Sequence, residues 1–204
     1  MRVVVQRVAL EIETLPLDPF AVLGLPRRLL VDEGQIGLRA RALLRDFHPD
    51  RFFREGPAAV AQAERQTSAV NDAVRALRGL DRRAALVAGF AEDSGRSLKP
   101  PPALLERVFD WNERLDDATS PADRAAVSHE VQVARARAWQ ALQAGAALWD
   151  RAQETREVIP ARADMPEGAA AEGALLSVLG ELRYLDNLLE RLDNEQQRLE
   201  AAPA

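Results

Sequence analysis

The sequence predicts an all-α protein in two parts, on three observations. Alanine, leucine, arginine and glutamate dominate, while β-branched residues thin out after the first dozen positions and aromatics make up only 5%. The dominant four are strong helix formers. Apolar residues recur every three or four positions along most of the chain, the period of a helix with one buried face. Over 93–102 this pattern is interrupted by Asp93-Ser94-Gly95-Arg96-Ser97-Leu98-Lys99-Pro100-Pro101-Pro102, which cannot continue a helix and favours an extended spacer. The predicted organisation is an arm over 1–16, a helical domain over 17–92, a linker over 93–102 and an elongated three-helix bundle over 103–204.

In the arm, Val8, Leu10 and Ile12 alternate with Ala9, Glu11 and Glu13, a strand pattern with no obvious pairing partner. A short helix over 18–25 follows, with Asp18 as N-cap, Pro19 at the first helical position and Gly24 as the stop. The next helix, 33–47, is capped by Asp32 and carries Ile36, Ala40, Leu43, Leu44 and Phe47 on one stripe. Arg39, Arg41 and Arg45 lie off that stripe, and Pro49 ends the helix by forcing the preceding residue out of the α region. A third helix, 57–79, starts at Pro57. Its seam of Val60, Ala63, Thr67, Val70, Val74 and Leu77 predicts lengthwise packing on the 36–47 stripe, with 48–56 joining the antiparallel pair. A shorter helical run over 81–91 closes the first domain.

Three helices are expected in the second domain. The first spans 102–118. Ser120-Pro121 supplies a cap and a first-turn proline for a long helix over 121–157. Pro160, Pro166 and Gly168 mark a loop over 158–170. The last helix, 171–200, is lined by Leu175, Leu179, Leu182, Leu185, Leu189 and Leu192, which predicts an antiparallel bundle.

Several function classes are disfavoured. A net charge of −5 and a pI near 5.2 argue against nucleic-acid binding, which needs a basic excess. No cysteine is present and only two histidines, His48 and His129, so disulfides, thiolate metal sites and multi-histidine zinc sites are not expected. A reducing cytoplasm fits that usage. No apolar run is long enough to span a bilayer, and no signal peptide is read at the N-terminus. There is no glycine-rich phosphate loop, and no cofactor or metal site is expected.

The most informative stretch is Arg45-Asp46-Phe47-His48-Pro49-Asp50-Arg51-Phe52. His-Pro-Asp arises by chance about once in a hundred such sequences. Taken alone it reads as a helix stop, because proline and aspartate are common turn residues. Its placement between two helices that can pair favours a docking site. Pro49 stiffens the turn, and Asp50 presents a carboxylate for a charge-assisted bond to a cationic partner group. His48 sits at a helix C-terminus, where the dipole favours positive charge. Arg39, Arg41 and Arg45 add a basic face that suits a partner with an acidic surface, although each arginine singly reads equally as solvated. A catalytic His48–Asp50 dyad is the third reading, and no nucleophile or oxyanion donor accompanies it.

These residues resemble the J-domain of the HscB family, co-chaperones of iron–sulfur cluster biogenesis. The resemblance rests on Phe20-Ala21-Val22-Leu23-Gly24-Leu25-Pro26, Phe47-His48-Pro49-Asp50-Arg51-Phe52, Ser68-Ala69-Val70-Asn71-Asp72-Ala73 and Arg83-Ala84. The second half is similar through Leu105 to Leu115 and through Glu181-Leu182-Arg183-Tyr184-Leu185-Asp186-Asn187-Leu188. The resemblance implies a non-enzymatic co-chaperone that stimulates ATP hydrolysis by an HscA/DnaK-type chaperone through His48, Pro49, Asp50, Arg39, Arg41, Arg45 and Arg51. It also implies a bundle that binds an IscU-like scaffold protein through Leu105, Phe109, Asp110, Glu113, Asp117 and Tyr184. From spacing alone, Leu105 and Phe109 share a helix face that is either bundle core or the apolar centre of a docking surface with an acidic rim. Departures are Glu106, where the family usually has an apolar residue, the long 158–170 loop and the 1–16 arm. They leave open a J-domain protein for another client, or a helical interaction protein in which the tripeptide is incidental.

Overall fold

The computed structural model describes residues 18–89, 98–158 and 166–201, and every element among them is helical. The strand-like pattern of 1–16 and the first half of the linker, 93–97, lie outside the described residues. Packing divides the chain into two compact units, one ending at Leu86 and one starting at Val87.

In the first unit, α1 (Pro19–Val22) is a single turn with Pro19 at its start. Asp18 occupies the N-cap position, but its side chain makes no capping hydrogen bond, contrary to the sequence expectation. The helix α2 (Glu33–Asp46) begins as expected, with the Asp32 carboxylate accepting the Gly34 amide at 2.9 Å. A 3-10 segment, Pro49–Glu55, follows, and α3 (Pro57–Leu77) starts after Gly56, whose φ of 103° only glycine adopts without strain. The short α4 (Leu80–Val87) completes the unit.

The stripe on α2 meets the seam on α3, and the pair is antiparallel. Thr67 on α3 donates to the carbonyl of Phe47 at the end of α2, while Glu33 at the start of α2 accepts the amide of Gly79 just past the end of α3. Ile36, Ala40 and Phe47 on the α2 side and Ala63, Val70 and Leu77 on α3 are all buried. The burial differs in detail from the pattern read in the sequence: Leu43 and Leu44 on α2 and Val60 and Thr67 on α3 are half-buried. Val74 is half-buried, and Ala73 and Gln66 take buried places on α3. Arg83 on α4 is 4% exposed and acts as a clasp. Its guanidinium donates to the carbonyls of Leu29 (2.7 Å) and Leu77 (2.6 Å) and lies 3.5 Å from Glu33 Oε1. One buried charge thus ties the loop before α2, the start of α2 and the end of α3 together.

The second unit holds α5 (Pro102–Asp116), α6 (Pro121–Val158) and α7 (Pro166–Ala201). Ser120 and Asp123 cap α6 reciprocally, the Ser120 hydroxyl accepting the Asp123 amide and the Asp123 carboxylate accepting the Ser120 amide and hydroxyl. That bonding holds the Asp123 carboxyl below its ordinary value. The helix α7 begins at Pro166, inside the loop expected over 158–170, because proline is well suited to a first helical turn. The α6 and α7 helices run antiparallel, since Arg135 pairs with Asp186 while a side chain at Gly145 would press on Leu175. Their interface sets small residues against large ones. Val131, Ala134, Ala138, Leu142 and Ala146 of α6 are buried with Leu175, Leu179, Leu182, Leu185 and Leu188 of α7. Leu188, rather than the expected Leu189, takes the buried place, and Leu192 is half-buried.

Candidate functional site

The His48-Pro49-Asp50 turn is fixed by short-range bonding. His48 is extended (φ −61°, ψ 126°), as a residue before proline must be, and its Nδ1 accepts the Asp50 amide at 3.3 Å. In the neutral ring that leaves Nε2 as the donor. The Asp50 carboxylate lies 3.6 Å from the same Nδ1 and is 89% exposed, while the His48 side chain is 58% exposed. Phe47 is buried on one side of the turn. On the other, Arg51 Nη1 donates to the Arg45 carbonyl (3.1 Å) and approaches Asp46 Oδ1 (3.4 Å), drawing the 3-10 segment back onto the last turn of α2. The tripeptide is therefore held rigidly while its polar groups face water.

Arg39, Arg41 and Arg45 are all exposed on α2. They do not form one face. At 100° per residue Arg41 and Arg45 stack one turn apart, whereas Arg39 lies about 160° away from Arg41, on the opposite flank. The companion of Arg41 and Arg45 is Leu38, which is 55% exposed.

The helix α5 settles which way Leu105 and Phe109 point. Leu104, Val108 and Trp111 are the buried residues, and Leu105 (48%) and Phe109 (72%) are exposed. Leu105, Phe109, Glu113 and Asp117 follow one another at four-residue intervals, so they form an outward ridge with Asp117 at the helix C-cap. Asp110 lies beside that ridge, and Glu106 is exposed next to its first residue, Leu105, one turn before Asp110.

Behind the ridge is a clamp that sequence reading missed. Glu130 of α6 accepts from Trp111 Nε1 (3.1 Å) and takes a bidentate pair from Arg114 (2.8 Å each). Arg114 also lies 3.6 Å from Asp110, and the Arg107 guanidinium sits 4.8 Å from the centre of the Trp111 ring. Arg114 first, and then Trp111, hold the Glu130 carboxyl down to about 2, and Glu130 raises Arg114 in turn. Asp110 is thus partly committed within the protein.

Tyr184 is half-buried on α7, one turn beyond Gly180. A side chain at Gly180 would stand 2.5 Å from the carbonyl of Lys99, so α7 lets the chain that leads into α5 pass directly over it. This puts Tyr184 on the α7 face that carries the entrance to α5.

Phe53 was also missed. It is 80% exposed, the most exposed of the large hydrophobic residues described. Among the described residues no group of three or more metal-ligating side chains exists, and no helix is long and apolar enough to cross a membrane.

No protein-family model matches the chain. Its relatives include proteins of Bordetella pertussis and Bordetella parapertussis, each named co-chaperone protein HscB homolog. Both are 34% identical over 129 residues, which cover 61% of this chain and 76% of the relative. Among solved structures, chaperone HscB from Vibrio cholerae aligns with a TM-score of 0.59 at 20% identity, over 90% of this chain and 99% of that one. Human co-chaperone HscB aligns at 0.60 and 19% identity, over 90% and 84%. The two structures share the all-α fold, a J-domain followed by a C-terminal bundle. Taken with the sequence relationship, this shows that the chain belongs to the HscB co-chaperone family.

Proposed function

We propose that this protein is a cytoplasmic, non-enzymatic co-chaperone with two docking surfaces. The turn at His48, Pro49 and Asp50, with Arg41, Arg45 and Arg51 around it, engages an HscA/DnaK-type chaperone and stimulates its ATP hydrolysis. Arg39 contributes from the other flank of α2 as long-range charge. The ridge of Leu105, Phe109, Glu113 and Asp117, with Asp110 and Tyr184, binds an IscU-like iron–sulfur scaffold protein and delivers it to the chaperone.

The observation that carries this reading is the exposure of the Asp50 carboxylate on a turn pinned on both sides. An acid held rigidly in water contributes little to the fold and is ready to meet a cation on a partner. The test is the steady-state ATPase of the cognate chaperone with and without the protein. Stimulation is expected with wild type and is lost with His48→Gln, while circular dichroism stays helical. Equal stimulation by the variant contradicts the reading.

For the bundle, Leu105→Ala combined with Phe109→Ala is expected to weaken scaffold binding at least tenfold without unfolding. A second reading, a J-domain protein for a different client, is favoured by the exposed Glu106 beside Leu105 at the start of the ridge. Failure of the wild-type protein to bind the scaffold would favour that second client, and undiminished binding by the double variant would take Leu105 and Phe109 out of the binding surface.

A further inference from the structure

We propose that Phe53 is a second, apolar anchor for the ATPase chaperone, seated in a hollow of the partner beside the cationic group that meets Asp50. The inference rests on the reading of the turn as the chaperone-docking surface and extends it to a residue outside the tripeptide.

A 3-10 helix has three residues per turn, so residues three apart eclipse one another and the segment has three edges. Each edge of Pro49–Glu55 has its own assignment. Pro49 and Phe52 are half-buried on the edge by which the segment packs against α3. Arg51 leads the second edge and is tied back to Arg45 and Asp46. The third edge is Asp50 and Phe53, one directly above the other about 6 Å along the axis. Both stand in water, Asp50 with 89% of its side chain exposed and Phe53 at 80%.

The exposure does not come from a loose segment, because the turn is anchored at Phe47 and by Arg51. It also contrasts with Phe52, the adjacent residue of the same type, which is half-buried. A rigid aromatic anchor brings large contact area at low entropy cost, and beside Asp50 the ring would exclude water from around the ion pair. Charge complementarity points to the occupant. The surface offers Arg41 and Arg45 to acidic groups, Asp50 to a cation and Phe53 to an apolar hollow. A second copy of this chain would have to supply the hollow from its own surface.

The test titrates the cognate HscA-type chaperone with full-length protein carrying Phe53→Ala or Phe53→Leu, at low and moderate salt. Phe53→Ala is expected to raise the half-maximal concentration for ATPase stimulation about tenfold, while the rate at saturation is kept. Phe53→Leu recovers most of the affinity. The tenfold ratio is the same at both salt concentrations, because no charge is removed. An unchanged half-maximal concentration overturns the proposal. So does an affinity loss accompanied by a change in the sedimentation of the free protein, which would assign Phe53 to self-association. Failure of the wild type to stimulate at all overturns the docking reading itself, and is distinguishable because it needs no variant.

Discussion

The two candidate docking surfaces are held in opposite ways. At the His48 turn the hydrogen bonds are nearly all local: the Asp50 amide on His48 and Arg51 on Arg45 and Asp46, followed by glycine and proline at 56 and 57, with the Thr67 bond and the packing of Pro49 and Phe52 reaching across to α3. On α5 the exposed ridge is held from behind by partners on another helix, Trp111 and Arg114 on Glu130, and by the close passage of residues 98 and 99 over Gly180. The difference teaches where each surface is vulnerable. Substitution at the turn changes recognition and spares the fold, whereas substitution behind α5 reaches recognition through the fold.

The largest expected effect is at the clamp. Trp111→Ala removes a buried ring together with the donor to Glu130, and costs about 3–5 kcal/mol. Denaturant unfolding should show the loss in the second unit, and scaffold affinity should fall although Trp111 is not on the ridge. Stimulation of the chaperone ATPase by the folded fraction should be intact. A parallel loss of ATPase stimulation would break the comparison.

Arg83→Met sharpens it from the other side. The substitution strands the carbonyls of Leu29 and Leu77 without their donor and costs about 2–3 kcal/mol of first-unit stability, read as a lower urea midpoint. Arg83 ties the end of the helix pair away from the turn. The variant should therefore stimulate the ATPase normally once corrected for the folded fraction.

The smallest effect carries a pH signature. Glu130 is held at about 2 against an ordinary 4.5, so its contribution is fully present above 4.5 and fades as pH falls toward 2. The pair is solvent-exposed, which limits the contribution to about 1 kcal/mol. Glu130→Gln should lower stability at pH 7 by that amount. The gap to wild type should close between pH 4.5 and 2 in acid titrations followed by circular dichroism, and a gap constant across that range would contradict the clamp.

The same contrast explains what was legible in the sequence. The turn was legible because its determinants are neighbours: proline fixes His48, and the apolar stripes on either side fix the helix pair. The ridge was half legible. Spacing put Leu105 and Phe109 on one face, but only the burial of Leu104, Val108 and Trp111 shows that this face points outward. The clamp was not legible, because Trp111 and Glu130 are 19 residues apart and nothing local marks either as a partner. Arg83 stood out only through the family resemblance, and its clasp was not legible, since its acceptors are backbone carbonyls that any residue supplies. Phe53 ran against the expectation that large aromatics are buried, and that departure is what made it informative. The start of α7 was missed because Pro166 reads as a breaker unless it is recognised as a first-turn residue.

The measurement that tests the two-surface account most directly is amide chemical-shift mapping of the isotope-labelled protein, titrated separately with the ATP-bound chaperone and with the scaffold. The account predicts disjoint footprints. The chaperone should perturb the α2 end and the turn from Arg41 through Phe53, and the scaffold should perturb Leu105 through Asp117 and the neighbourhood of Tyr184. Overlapping footprints, or a chaperone footprint that leaves His48, Asp50 and Phe53 unperturbed, would contradict it.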